Sequence, residues 1–198
     1  MANEHPTPTT ARSLLSAIQK ITPASKPLPG YENRIVSRFP MGMCMDECYP
    51  GLYIGDLGAA KNKDYLKQVG ITHVVNTAQG NKFATVDTDE AYYKDVGIKY
   101  LGMKLLDIPT ANIAQFFEAG ADFIDEALSS GGKVLVHCFM GISRSATIAC
   151  AFLMLKRRLG AQEALETLRK NRSIYPNDGF LNQLADLDNK LRKERGEL

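Results

Sequence analysis

An α/β fold, with a central and mainly parallel twisted sheet flanked by helices, is the architecture this sequence predicts. Three observations carry that expectation. Short strand-like runs alternate with segments of helical periodicity, and such alternation builds a parallel sheet covered on both faces. Glycines punctuate the helical segments, as Gly70, Gly131-Gly132 and Gly160 do, which marks where one element stops and the next begins. With 198 residues, 44% of them hydrophobic, the chain can bury one core of ordinary size, and it shows neither an internal repeat nor a second domain boundary.

Residues 1–30 carry Pro6, Pro8, Pro23, Pro27 and Pro29 among many Thr, Ser and Ala, a composition that reads as a flexible tail unable to fold alone. Within it Leu14, Leu15, Ile18 and Ile21 fall at helical spacing. Thr10–Ile21 is therefore expected to form a short amphipathic helix that docks on the domain's own core or on a partner. Residues 31–198 form the domain itself. Strands are expected near Ile35–Phe39, Leu52–Ile54, His73–Asn76, Tyr100–Lys104 and Lys133–His137. Helices are expected over Asp56–Val69, stopped by Gly70, and over Asn112–Leu128, stopped by Ser129-Ser130-Gly131-Gly132, with two more on either side of Gly160. The last helix starts at Asn177 or Asp178 and sets Phe180, Leu181, Leu184, Leu187 and Leu191 on one face.

Composition narrows the function classes. A formal net charge of +2 gives no electrostatic footprint for nucleic acid, which needs clustered Lys and Arg. The longest apolar run, Ala146–Leu155, is too short to cross a bilayer, and no signal peptide pattern opens the chain. A soluble protein of the cytoplasm, with the nucleus as a second compartment, is expected. Cys44, Cys48, Cys138 and Cys150 lack the spacing of a secreted disulfide scaffold. Cys44 and Cys48 could begin a zinc site, but no second ligand pair follows them, so neither a metal nor another cofactor is expected.

In an open α/β sheet, ligands bind beyond the carboxyl ends of the strands. Asp107 and Cys138 each follow a predicted strand, with one crossover helix between them, and a right-handed crossover brings both to the same sheet edge. The segment His137-Cys138-Phe139-Met140-Gly141-Ile142-Ser143-Arg144-Ser145 puts a thiol and a guanidinium at the two ends of a short loop between a strand and a helix. A tight loop whose backbone N–H groups turn inward can hold a phosphate dianion, and Gly141 permits the close approach. The helix beginning near Arg144 adds its N-terminal dipole, which favours a thiolate at Cys138, so that this thiol should titrate well below the free value of about 8.5. Arg144 can grip two phosphoryl oxygens with its planar fork. Ser143 and Ser145 place hydroxyls near the sulfur. His137 is read as buried and hydrogen-bonded to backbone rather than as a proton carrier. A Cys and an Arg at this spacing also arise by chance, but the strand, the glycine, the paired serines and the helix agree with one chemistry, phosphoester cleavage through a phosphocysteine.

The run from His137 through Cys138 to Arg144-Ser145-Ala146-Thr147 resembles the signature of the cysteine-dependent protein tyrosine phosphatase superfamily, and its Ser-Arg-Ser-Ala-Thr ending resembles the dual-specificity branch. Tyr49-Pro50-Gly51-Leu52-Tyr53-Ile54-Gly55, Gly70-Ile71-Thr72-His73-Val74-Val75-Asn76, Asn171-Arg172 and Pro176-Asn177-Asp178-Gly179-Phe180-Leu181 are similar to segments of the small atypical dual-specificity phosphatases of the vaccinia-related kind. The resemblance runs from about Met43 to Arg192. It implies a catalytic domain acting on phosphotyrosine and phosphoserine or phosphothreonine in phosphorylated proteins, mitogen-activated protein kinases among them. It also implies a shallow pocket and no metal or other cofactor.

The leaving group of such a reaction needs a proton. Asp107 is the candidate general acid because it ends a strand and is followed at once by Ile108-Pro109, and the resemblance puts the acid in the same place. A helix N-cap is its alternative role. Phe139, Met140 and Ile142 make the outward side chains of the loop largely apolar. Arg172 could grip a second phosphate at the mouth or pair with a carboxylate on its own helix, and Asn177 reads as a cap bracing the loop region. Two other functions stay open: a phosphatase of a phosphoinositide, a phosphorylated glucan or an RNA 5′ end, and a phosphoprotein-binding module without turnover.

Overall fold

Strand β5 (Val134–His137) lies at the centre of a five-stranded sheet ordered β1-β2-β5-β3-β4 in the computed structural model, which describes residues 7–24, 26–32 and 43–198. β2 (Leu52–Gly55), β3 (His73–Asn76) and β4 (Lys99–Gly102) run parallel with it, and β1 (Met45–Tyr49) adds an antiparallel edge. The central position follows from composition, because Val134, Leu135 and Val136 leave no polar face to offer to water and all are fully buried. Val134 and Val136 pack into the larger core with Leu52, Ile54 and Val75, whereas Leu135 packs on the opposite face with Tyr53 and Val74, as the two-residue period of a strand requires.

Helices cover both faces, as expected. α2 (Leu57–Lys61), α3 (Lys63–Val69) and α4 (Glu90–Tyr93) surround the smaller cluster; α5 (Phe117–Ser129), α6 (Arg144–Arg157), α7 (Ala161–Arg169) and α8 (Asp178–Glu194) surround the larger. α6 is buried all along from Arg144 to Met154, which makes it the spine of that layer. Asn177 caps α8, its side chain accepting from Phe180 N at 3.0 Å, so that Phe180, Leu181 and Leu184 reach full burial.

Several boundaries differ from the sequence expectation. The expected helix over Asp56–Val69 is two helices, broken at Asn62, whose backbone leaves the helical region and whose side chain accepts from Tyr65 N at 3.0 Å to cap the second. The long helix begins at Phe117 after a 3₁₀ turn over Ala114–Phe116 rather than at Asn112. The fourth strand is Lys99–Gly102 rather than Tyr100–Lys104. β1 was not expected; the strand placed at Ile35–Phe39 lies outside the described residues.

Within the proline-rich N-terminal region, α1 (Ala11–Gln19) resolves the choice between core and partner. Leu14 and Ile18 are fully buried in the larger core, each side chain being worth about 1.5–3 kcal/mol when removed from water. Thr10 and Ser13 form a reciprocal capping box. Thr9 N donates to Asn189 Oδ1 at 2.8 Å and Arg169 Nε to the Ile21 carbonyl at 3.1 Å, so this helix is fastened to α7 and α8.

The pairing register sets the level of the functional loops. Gly55 and Asn76 both pair with His137, and Asn76 with Gly102. Asp56, Thr77, Met103 and Cys138 therefore leave the sheet side by side at one edge.

Candidate active site

Cys138 follows β5 directly and is 1% exposed. The turn that returns the chain over it is set by Gly141, at φ +67, where a Cβ would lie 2.3 Å from the Gly55 carbonyl oxygen; only glycine avoids that collision. Gly141 N donates to Cys138 Sγ at 3.1 Å, and Ser145 Oγ, in the first turn of α6, donates to it at 3.5 Å. Burial pushes the Cys138 thiol up, but the Ser145 hydroxyl, the backbone N–H of Ser145, the Arg144 charge and the backbone N–H of Ile142 together pull it below the ordinary thiol value. Cys48 shares the burial without those donors and is pushed up to about 12 by desolvation and then by Asp46. Burial and Asp188 push Cys150 up as well.

Arg144 is 2% exposed. Its Nη1 donates to the Leu105 carbonyl and its Nη2 to the Ala84 carbonyl, both at 3.0 Å. Two segments from different parts of the sequence thus fix the guanidinium plane. Its Nε is buried without a hydrogen bond and lies 3.4 Å from Asp107 Oδ2. Asp107 Oδ1 accepts from Ser143 Oγ at 2.8 Å and from Asn177 Nδ2 at 2.9 Å. The sheet edge therefore brings together the thiol, the guanidinium and the carboxyl group named from sequence. Other carboxylates of the chain have other work: Asp89 caps α4, and Asp122 and Asp125 pair with Lys156 and Arg157 at 2.5 and 2.7 Å.

Other expected site residues divide. Of the two serines, Ser145 faces the sulfur and Ser143 faces Asp107 instead. Met140 is exposed and Ile142 half-buried, but Phe139 turns back against Ala78 and Val86 rather than outward. His137 is fully buried, with Nδ1 hydrogen-bonded to the Cys138 carbonyl at 3.2 Å. Desolvation holds its pKa down to about 4, against the hydrogen bond to Cys138, which raises it, and with Arg144, which lowers it; it stays neutral at pH 7. Asn177 has its expected bracing place, between the start of α8 and Asp107.

Arg172 pairs with a carboxylate, but on β1 rather than on its own helix. Its Nη1 donates to Asp46 Oδ2 at 2.8 Å and to Cys44 Sγ at 3.2 Å. Its Nε donates to the Gly141 carbonyl at 2.7 Å and its Nη2 to the Met140 carbonyl at 3.1 Å. The side chain thus braces the loop from outside. Sequence reasoning missed Asp46, Leu105 and Ala84; the last two act through backbone carbonyls, which no residue type announces. Ala84 holds φ +57, a left-handed conformation that costs a non-glycine residue about 1–2 kcal/mol and that its residue type does not announce.

Comparison with known proteins places the chain in a family. The family described as "Dual specificity phosphatase, catalytic domain" matches residues 52–190. Dual specificity protein phosphatase 26 of Bos taurus is 46% identical over 149 residues, covering 75% of this chain and 69% of the relative. Dual specificity protein phosphatase 13B of Homo sapiens is 46% identical over 153 residues, covering 77% and 76%. Among solved structures, DUSP15 superposes with a TM-score of 0.62 at 33% identity, covering 77% of this chain and 95% of that one. Human DUSP28, at 24% identity, shares the fold with a TM-score of 0.65 over 86% of this chain and 99% of its own. A family match over more than half of the chain, with relatives of this identity, establishes that the chain belongs to the dual specificity phosphatases.

Proposed function

We propose that this chain hydrolyses phosphotyrosine and phosphoserine or phosphothreonine in proteins through a phosphocysteine intermediate on Cys138. The observation that carries the reading is the pair of donors aimed at a buried sulfur: Gly141 N and Ser145 Oγ both donate to Cys138 Sγ and favour its thiolate, whereas burial pushes the Cys48 and Cys150 thiols up. In the first step the Cys138 thiolate attacks phosphorus, the bond from phosphorus to the leaving oxygen breaks, and Asp107 in its acid form gives that oxygen a proton. The inward N–H groups of the loop and the Arg144 fork hold the three equatorial oxygens as charge spreads over them. In the second step Asp107 takes a proton from water, the water oxygen bonds to phosphorus, and the sulfur leaves as a thiolate stabilised by Ser145. No metal or other cofactor enters these steps.

Asp107 rests against Arg144 in this structure, so a bound phosphoryl group, itself an anion, would compete with the carboxylate for the guanidinium and leave Asp107 facing the leaving oxygen. The proposed substrates are phosphorylated proteins, mitogen-activated protein kinases among the candidates that the family resemblance implies. The proposed setting is the cytoplasm and nucleus, where thiols are kept reduced. Replacing Cys138 with Ser is expected to abolish turnover of phosphotyrosine and phosphothreonine peptides while phosphate still binds. Turnover retained by that variant would remove Cys138 from the mechanism.

A further inference from the structure

The large hydrophobic side chains that stand exposed among the described residues are Phe83, Leu106, Ile108, Met140 and Tyr175, with Phe83 95% and Met140 61% exposed. They come from four separate stretches of the sequence, Leu106 and Ile108 sharing one, yet each stretch is tied to the phosphate loop or to Arg144. Phe83 adjoins Ala84 and Leu106 adjoins Leu105, whose carbonyls hold Arg144. Ile108 follows Asp107, which contacts Ser143 and Arg144. Met140 belongs to the loop, and Tyr175 N donates to the Ile142 carbonyl at 2.9 Å. Among the described residues, the large exposed apolar side chains thus stand on the segments that frame the phosphate loop, a collar in this sense, where a solvated surface would ordinarily keep such groups scattered.

The charges beside that collar cancel. A cleft of about 430 Å³, walled by Pro23, Met140 and Ile142, carries Lys26 and Arg172 against Asp46 and Asp56. A second cleft, of about 510 Å³ and lined by Leu105 and Leu106, carries Lys82 and Lys104 against Asp87 and Asp89. Arg172 is committed to Asp46 and to two loop carbonyls, so taking hold of a second phosphate would cost it bonds it already has.

Resting on the phosphatase reading above, we infer that the site selects singly phosphorylated segments whose residues next to the phosphorylated one are apolar. The collar is continuous with the phosphate cradle, so its occupant is the chain that carries the phosphoryl group in. Apolar flanks would gain from burial against Phe83, Met140 and Tyr175; charged flanks would lose water and meet no net opposite charge among the described residues of the two clefts.

The test uses the full chain and phosphopeptides identical except for the flanking residues, which are Leu and Ile, Glu, or Lys, together with a form carrying a second phosphate two residues away. Hydrolysis of 4-nitrophenyl phosphate, measured alongside, reports on the phosphatase chemistry alone. The apolar peptides are expected to show kcat/KM about tenfold above both charged sets, the discrimination that apolar contacts in a fitted site provide. The second phosphate is expected to bring no comparable gain. Phe83→Ser and Met140→Glu should each lower the ratio of apolar to acidic kcat/KM. Equal values across the peptides, or a clear preference for acidic or doubly phosphorylated ones, would overturn the inference while aryl phosphate turnover persists. If aryl phosphate is not turned over, the phosphatase reading fails instead. The affinities of the same peptides for the Cys138→Ser protein then decide, because equal affinities dispose of the collar too.

Discussion

Three cysteines share the same deep burial, and what separates them is the number of donors aimed at the sulfur. Cys138 has Ser145 and loop N–H groups, and the depressed thiol makes a signed prediction. Activity that needs the thiolate is lost as pH falls through the Cys138 pKa. Removing the Ser145 hydroxyl raises that pKa, so the acid limb of kcat/KM for Ser145→Ala should move to higher pH, since a hydrogen bond to a charged group favours the charged form. An unmoved limb would assign Ser145 to structure alone. Asp107→Asn should lower kcat on phosphothreonine peptides by about 10²–10⁴-fold, with a smaller loss on aryl phosphates whose leaving group needs less protonation. His137 bears on stability instead. Its pKa is held down to about 4 from 6.5, so the unfolded chain binds more protons between those values and folding weakens as pH falls through that window. The full effect is about 3 kcal/mol and levels off below pH 4. Urea midpoints at pH 7 and pH 5 should differ for the wild type and differ less for His137→Asn. Cys138, Arg144 and Asp107 were legible in the sequence because the proposed chemistry calls for their side-chain types; Ala84 and Leu105 were not, because any residue has a carbonyl.

Elements were read well where hydrophobic period and punctuation agreed. Gly70, at φ +84, ends α3 as expected, and Asn177 starts α8. β1 escaped because Asp46 and Glu47 interrupt its apolar residues, and a strand with a carboxylate facing inward makes sense only once Arg172 is known to meet it. The break at Asn62 escaped because the apolar residues on either side continue a single helical stripe, and only the cap distinguishes two helices from one. α1 was legible as a helix but not in its destination, since an amphipathic stripe does not say what covers it. Its burial sets an expectation: Leu14→Ala or Ile18→Ala should each cost about 2–5 kcal/mol, the range for truncating a buried aliphatic side chain. Denaturant unfolding would measure it, and a loss under about 0.5 kcal/mol, typical of surface changes, would mean that the helix contributes little to the core.

At the scale of the whole molecule, the parallel sheet delivers Asp107 and Cys138 to one edge, and this much followed from the order of strands and the hand of the crossover. The brace across that edge did not follow, because it joins β1 to the segment before α8 through one buried ion pair, Arg172 with Asp46, each under 10% exposed. Arg172 spends its remaining donors on the carbonyls of Met140 and Gly141, so the pair links the rigidity of an edge strand to the curvature of the phosphate loop. Stability and catalysis should then separate on substitution. Asp46→Leu leaves a buried guanidinium without its carboxylate and should destabilise by about 3–5 kcal/mol. Adding Arg172→Met removes the stranded charge and should recover much of that loss, as apolar replacements of buried pairs often do. The double variant still lacks the donors to the loop carbonyls, so kcat on 4-nitrophenyl phosphate should stay low despite the restored stability. Denaturation midpoints and kcat measured on the same three proteins decide the matter: recovery of both together would mean that the pair serves folding alone and that the loop holds its shape without it.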